Sequence, residues 1–564
     1  MKRTSLVVLM IALAILALAA PLAYAQAPAP KVTISGLIDN LTSYSENIAN
    51  YNGGFFNRGD KMWYARTRGR FDFIGEVGKA KGVLGIELDH VYGQTGSNDS
   101  SIVNAGGASG VAVANGFGTD GGFDLNTDSR GIIEIKWLYV EFPMPLIPVP
   151  TTVRLGAQPF GAASTYKLCV YTCSDFPGVN ITSQITPNVK VLATYIQLEE
   201  SLVGIDTKTA TGTPSPSPTG IATTQQRGDD FSYIFSAEVT PFKGLDLKPM
   251  FSMLYAQGTT SGSARQGRGG INTTTAFSTS TTDCGATGTG TTCVRGGMNE
   301  YRYTVGLDTR FRVGPFSFDP TVLYQFGNRA VLGPTSTAFQ DNGVIAGRRY
   351  YADLNAWLID LRGGFQLGPL LIEALGVYST GNSRRNNTLG TVRYFQPLTT
   401  DTGYLADWGT SLTSLGVDYL NAWNEAGGRI AYPGVSIGWD KYGRAQLGAK
   451  ATYAITPALS VMAGANGHLT AEKVDRDGTP VAGAGIPPQF TVPGGGGQVR
   501  SASRYGGTEL QAQISWRFAD GLAWDNQFGY MFMGKALDGV TDPAAGGRNT
   551  NEPFMLTSRV RFTF

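Results

Sequence analysis

Taken two residues at a time, the chain sorts repeatedly into apolar and polar faces. Over 301–313, Tyr301, Tyr303, Val305, Leu307, Phe311 and Val313 share one face, while Arg302, Thr304, Asp308, Arg310 and Arg312 share the other. Over 63–73, Trp63, Ala65, Phe71 and Phe73 oppose Tyr64, Arg66, Arg68, Arg70 and Asp72. Leu510, Ala512, Ile514, Trp516 and Phe518 oppose Glu509, Gln511, Gln513, Ser515 and Arg517. The chain ends the same way, with Phe554, Leu556, Val560, Phe562 and Phe564 against Met555, Thr557, Arg559, Arg561 and Thr563. Successive side chains of a strand point to opposite faces. Alternation over about ten residues is the pattern of a strand that crosses a bilayer with lipid on one face and water on the other.

This reading places strands at 32–45, 62–77, 82–92, 131–142, 151–159, 178–186, 189–200, 230–240, 245–257, 300–313, 316–327, 350–366, 369–379, 443–456, 458–472, 506–518, 522–534 and 551–564, eighteen in all. A separate strand at 430–440 would move its neighbours, and sixteen is the alternative count. Short connectors alternate with long ones. The short ones carry Pro or Gly: Ile185-Thr186-Pro187, Val239-Thr240-Pro241, Val313-Gly314-Pro315, Leu367-Gly368-Pro369, Ile455-Thr456-Pro457 and Ala519-Asp520-Gly521. Proline presets φ and cannot donate to a ladder, so it suits a tight turn. The long ones, such as 93–130, 258–299 and 380–442, are rich in Gly, Ser, Thr, Asn and Asp. An open sheet in lipid would leave its edge groups unpaired, and closure removes the edges. The expected fold is all-β: a transmembrane antiparallel β-barrel with short periplasmic turns and long extracellular loops. Barrels of about 16–18 strands enclose an aqueous lumen.

The N-terminus adds a location. Lys2 and Arg3, an apolar run over 6–20 and Ala23-Tyr24-Ala25 form the charged, apolar and small-x-small regions of a cleaved signal peptide. A retained anchor is the alternative, but the run is short for a span of about 20 residues. The expected organisation is a signal peptide at 1–25 and one barrel domain at 26–564. Loss of Lys2 and Arg3 brings the 45 Lys+Arg to 43, equal to the 43 Asp+Glu, so the mature chain is formally neutral. That balance excludes the basic footprint of a nucleic-acid partner. The four cysteines lie in two close pairs and suit an oxidising compartment. Cys169 lies near Cys173, and Cys284 lies near Cys293. Local disulfides, Cys169 with Cys173 and Cys284 with Cys293, are the expectation. Metal binding is the alternative, although no His lies near either pair. No metal or cofactor is expected.

The terminal strand closes the barrel against the first strand, 32–45. At this point the sequence resembles the Gram-negative outer-membrane porins, whose last strand carries alternating aromatics and a final Phe read by the assembly machinery; Val560, Phe562 and Phe564 match that signature. The resemblance implies residence in the outer membrane, contact with its lipid and lipopolysaccharide, engagement of the barrel-assembly machinery during biogenesis, and a homotrimer. It also implies that the third long loop, 161–176, folds into the barrel as a constriction, which makes Lys167 and Asp175 candidates; an ordinary surface loop is the other reading.

Candidate chemistry lies in the lumen. Alternation turns Arg66, Arg68 and Arg70 of the second strand and Arg559 and Arg561 of the last inward as one basic wall, with only the first strand between them, and Arg302, Arg310 and Arg312 across the ring. Glu87, Asp89 and Asp308 point inward as well. Two readings stand open: a selectivity field that favours anions, and a salt-bridged, hydrated wall. Leu412, Leu415, Tyr419 and Trp423 recur at helical spacing in a segment that could sit over the mouth or on the rim. Aromatics near strand ends, among them Trp63, Trp137, Tyr139, Tyr324 and Trp516, read as interfacial girdles.

The function expected is a channel for passive diffusion of ions and small polar solutes, weakly anion-preferring. A channel selective for a sugar, a carboxylate or an anionic polymer is the alternative, and a structural or adhesive surface barrel is the alternative of another class. An enzyme is not expected. The two histidines are His90 and His468, and His90 is turned away from its neighbour Asp89 by the strand pleat. A strand beginning near Lys31 leaves no room for the plug of an energised receptor.

Overall fold

The computed structural model describes residues 29–47, 61–92, 122–123, 133–160, 165–167, 170–172, 175–199, 230–256, 300–332, 349–381, 391–398, 443–473, 475–476, 499–500, 503–536 and 552–564. Eighteen long strands form the body: β1 Lys31–Glu46, β2 Lys61–Val77, β3 Ala80–Tyr92, β4 Ile133–Pro143, β5 Thr151–Pro159, β6 Asp175–Thr186, β7 Val189–Glu199, β8 Asp230–Phe242, β9 Leu245–Ala256, β10 Glu300–Val313, β11 Phe316–Leu332, β12 Arg349–Leu367, β13 Leu370–Ser379, β14 Arg444–Thr456, β15 Leu459–Thr470, β16 Tyr505–Ala519, β17 Leu522–Met533 and β18 Phe554–Thr563. Each pairs antiparallel with the next, and β18 pairs with β1 from Leu37 opposite Thr563 to Glu46 opposite Phe554. The ring is closed. Backbone bonds in both directions between Gly36 and Phe564, 2.9 and 3.1 Å, carry the seam to the last residue.

The tight turns lie at one end of the barrel: 78–79, 187–188, 243–244, 314–315, 368–369, 457–458 and 520–521. Five of the six turns expected from sequence fall at or beside their Pro or Gly. The sixth moves: β8 runs through Val239-Thr240-Pro241 to Phe242, and the chain reverses at Lys243-Gly244. Gly244, with φ of 94°, supplies the left-handed conformation that Pro241 cannot. The signal-peptide residues, 410–428 and 430–440 lie outside the described residues. So do Cys169, Cys173, Cys284 and Cys293, and with them both expected disulfides.

The faces follow the alternation. Trp63, Phe251, Leu307, Trp357, Ile514 and Phe562 are among the exposed apolar side chains of the outer surface. An outer row of rings, with Tyr233 on Phe235, Phe235 on Phe251, Phe251 on Tyr303 and Tyr303 on Phe326, stacks across β8 to β11 at 5.3–6.5 Å between centroids. Two aromatics expected in the girdle turn inward instead. The β3–β4 ladder shifts register between Gly85 and Ile86, and the shift reverses the facing of β4 beyond it. Trp137 then lies over Gly85 inside the barrel and donates to the Asp72 carboxylate at 2.9 Å. Tyr139 lies under the Arg154 guanidinium, 4.6 Å from its ring centre.

The tightest backbone approach is at Gly327 in β11, where φ is 134° and an added Cβ would meet the Tyr301 carbonyl oxygen at 1.9 Å. Gly327→Val is expected to destabilise the barrel by about 2 kcal/mol or more. Gly75→Ala, where nothing lies within 4 Å, is the control expected to be neutral. Urea-induced loss of heat-modifiable gel mobility measures both.

Candidate functional site: the lumen and the segments folded into it

Inside, two opposite stretches of the barrel wall are unlike. On β1, β2, β17 and β18 the inner surface is charged. Asp39 of β1 sits at its centre: Arg559 donates to it from Nε at 2.7 Å and Nη2 at 2.6 Å, and Arg66 approaches to 3.8 Å. Glu87 of β3 gathers Arg68 at 3.4 Å, Arg70, and Lys136 of β4 at 3.3 Å. Arg561 pairs with Asp525 of β17. The five arginines do share one wall, but carboxylates are threaded through it. The pairs are unequally covered: Arg70 and Arg561 keep 36% and 39% of their side chains exposed, against 8% for both Glu87 and Asp525. In these two pairs the cation faces the water and the anion lies behind it, whereas Arg66 is buried. The Asp89 side chain lies outside the described residues.

On β7 to β13 the inner wall carries an apolar band among buried polar and charged side chains. Ile196, Ile234, Met250, Leu254, Leu323 and Leu358 all point inward and are buried. Two segments between strands cover them. Val170 and Tyr171, between β5 and β6, and Phe395 and Leu398, between β13 and β14, join the same apolar cluster. The segments also bind each other, through the Leu398 amide donating to the Tyr171 carbonyl at 2.9 Å. Burial of such side chains stabilises by about 1.5–3 kcal/mol each, enough to hold both segments inside the ring.

Polar latches fix their register. Lys167 reaches Asp308 of β10 at 3.0 Å and also bonds Thr321 of β11; the Thr321 hydroxyl donates to Asp308 at 2.6 Å, and the Tyr166 backbone amide donates to the same carboxylate. Arg310 lies 4.3 Å and Lys248 5.0 Å from the centre of the Tyr166 ring. Burial, with Glu238 and Asp246 nearby, pushes the Tyr166 phenol above its ordinary pKa. The second segment starts as a two-residue strand, Thr391–Val392, that pairs parallel to β12 beyond the reach of the shorter β13. From there Gln396 exchanges two bonds with the Gln325 side chain, at 2.8 and 3.0 Å, and accepts from Arg302 at 2.9 Å and from Arg329. Glu300 lies 3.6 Å from Arg302 and 2.8 Å from Arg329.

The candidate residues therefore separate. Arg66, Arg68, Arg70, Arg559, Arg561 and Glu87 come together. Arg302 and Asp308 point inward but are covered by the two segments. Arg312 faces Asp319 near the tight turns and is half-exposed. Lys167 belongs to the inward segment, whereas Asp175 opens β6 and pairs with Lys136 at 3.1 Å. Cys169 and Cys173 flank the described part of that segment, Val170 to Thr172, and are themselves outside the described residues, as are Cys284 and Cys293. Val560, Phe562 and Phe564 lie in the closing strand and its terminus.

No protein-family model matches the chain, and no curated protein matches it. Solved structures do resemble it in outline. A BenF-like porin from Pseudomonas fluorescens Pf-5 shares 11% identity over 95% of this chain and 98% of its own, with a TM-score of 0.46. OccK5 (OpdH) of Pseudomonas aeruginosa shares 9% over 94% of this chain and 98% of its own, with a TM-score of 0.43. OccAB3 of Acinetobacter baumannii shares 8% over 94% and 99%, with a TM-score of 0.43. On its own geometry, the fold is a closed, eighteen-stranded antiparallel β-barrel.

Asp308→Asn removes the counter-charge beneath Lys167, and breaking a buried pair in this way costs about 3–5 kcal/mol. The expected result is a noisier single-channel current with larger steps, as the 165–172 segment loses its seat, while the outer ladder and its heat-modifiable mobility remain.

Proposed function

We propose that the protein is a water-filled channel in the outer membrane of a Gram-negative bacterium, passing ions and small polar solutes. An apolar outer surface and a closed ladder suit the bilayer, and a charged inner wall suits water. The two inward segments narrow the lumen on the β7–β13 side. The conducting path then follows the charged wall of β1, β2, β17 and β18. A path pressed against one wall discriminates more than a wide central one, so passage depends on charge and shape as well as size.

The observation that carries the reading is the unequal exposure of the ion pairs on that wall. A passing solute meets Arg70 and Arg561 before it meets Glu87 or Asp525. The field is positive at short range although the charges nearly balance, which gives a slight anion preference.

Purified protein in a planar bilayer under a KCl gradient tests this. Discrete steps with a reversal potential slightly on the chloride side are expected. Arg70→Gln with Arg561→Gln is expected to carry the reversal potential to the potassium side. Arg302→Gln, under the 391–398 segment, is expected to leave its sign unchanged. Absence of steps in the parent protein would refute the channel, and an unmoved potential in the double variant would refute the assignment of the wall.

A further inference from the structure

A third stretch of the lumen wall, β14 to β17, meets the charged wall at β17. Carboxamides recur on its inner face among charged side chains: Gln446, Asn466, Gln511, Gln513 and Gln527. Glycines interleave with them. Gly448 stands opposite Asn466, and Gly464 stands opposite both Lys450 and Gln511. The Asn466 amide lies directly over Gly448, where a Cβ would come within 2.0 Å of its oxygen. At Gly464 a Cβ would come within 2.9 Å of the Gln511 amide nitrogen. Only glycine at these positions lets the amides lie flat along the wall.

Gln446 and Asn466 are 1% and 0% exposed, and neither the nitrogen nor the oxygen of either amide has a partner among the described residues. The oxygen of Gln527 is in the same state, although its nitrogen donates to Gln513 at 2.9 Å. Buried amide groups are ordinarily hydrogen-bonded, because leaving them unpaired costs free energy. Such groups on consecutive strands of one wall point to an exchangeable partner. The charges among them are already engaged: Lys450 with Glu373 at 3.3 Å, His468 with Glu509 at 3.2 Å, and Arg444 with partners of its own.

We propose that Gln446 and Asn466 form a subsite for a neutral, polyhydroxylated solute. An amide presents a donor and an acceptor side by side. A hydroxyl answers both, whereas a carboxylate would face the amide oxygen and an ammonium would leave the amide N–H groups unpaired. Gln446 and Asn466 are diagonal neighbours across the β14–β15 ladder, about 7–8 Å apart at the backbone. A polyol or sugar with hydroxyls at both ends can bridge them. The subsite deepens the channel reading and rests on it, and because both amides are covered a solute must uncover them as it binds.

Saturation-transfer NMR of sorbitol with the folded, detergent-solubilised protein tests the subsite without depending on conduction. A saturable sorbitol signal is expected in the parent protein, unaffected by added acetate. Gln446→Leu with Asn466→Leu is expected to weaken it at least tenfold while leaving heat stability equal or higher, since the replaced amides hold no partner among the described residues. Gln446→Glu, which keeps the size and removes the amide donor, is expected to weaken it as well, and it serves if the double variant fails to fold. No saturable signal in the parent protein, or undiminished binding in the variants, would overturn the proposal. A parallel bilayer recording separates the two readings: channel steps without sorbitol binding sink the subsite alone, and binding without steps sinks the channel alone.

Discussion

A strand in hydrocarbon has no water to satisfy its backbone, and every other feature of this protein follows from meeting that demand by closure. The seam between β1 and β18, extended to the mutual bonds of Gly36 and Phe564, completes a ring in which every long strand has a hydrogen-bonded neighbour on both sides. Closure then assigns the faces. The pleat sends every second side chain outward to lipid and every other one into a lumen that an eighteen-stranded ring leaves too wide to be filled by its own side chains.

That lumen is partitioned by chemistry along the circumference. Where β7 to β13 turn Leu254, Leu323 and Leu358 inward, water would be a poor neighbour, and Val170, Tyr171, Phe395 and Leu398 take its place. The latches beneath these side chains are ionic, and buried ionic contacts set register better than they add stability. Lys167 on Asp308, and Gln396 between Arg302 and Arg329, place each segment at one height. On the opposite side, Arg70 of β2 and Arg561 of β18 face the water with Glu87 and Asp525 set behind them.

Much of the architecture is legible in the sequence because lipid imposes a simple rule. The outer face must be apolar, so strands such as 300–313 and 505–519 stand out by period alone, and Pro and Gly mark most of the tight turns. The inner face obeys no such rule. Asp39 lies in a strand whose outward positions include Asn40 and Thr42 while Leu37 and Leu41 point inward, so neither face of β1 reads as greasy. The apolar seat is hidden for the same reason: in Leu323-Tyr324 and Trp357-Leu358 both neighbours are apolar, and alternation cannot tell which faces lipid. The shift in the β3–β4 ladder that turns Trp137 and Tyr139 inward has no residue signal beyond Gly85. Nothing in Thr391 to Leu398 announces a segment that ends inside the barrel. It is placed by the unequal lengths of β12 and β13 and by contacts distant in sequence.

The division of the lumen into a covered wall and a conducting one is the central claim, and thiol accessibility during conduction tests it most directly. A charged, water-soluble methanethiosulfonate would be applied to single channels carrying Arg70→Cys or Leu254→Cys, each read against the parent protein. Arg70 lines the proposed path and Leu254 lies beneath the folded segments. Current through the Arg70→Cys channel should step down on reagent addition, and current through the Leu254→Cys channel should not respond. Equal reaction at both positions would mean that the β7–β13 wall is open to water, contradicting the account.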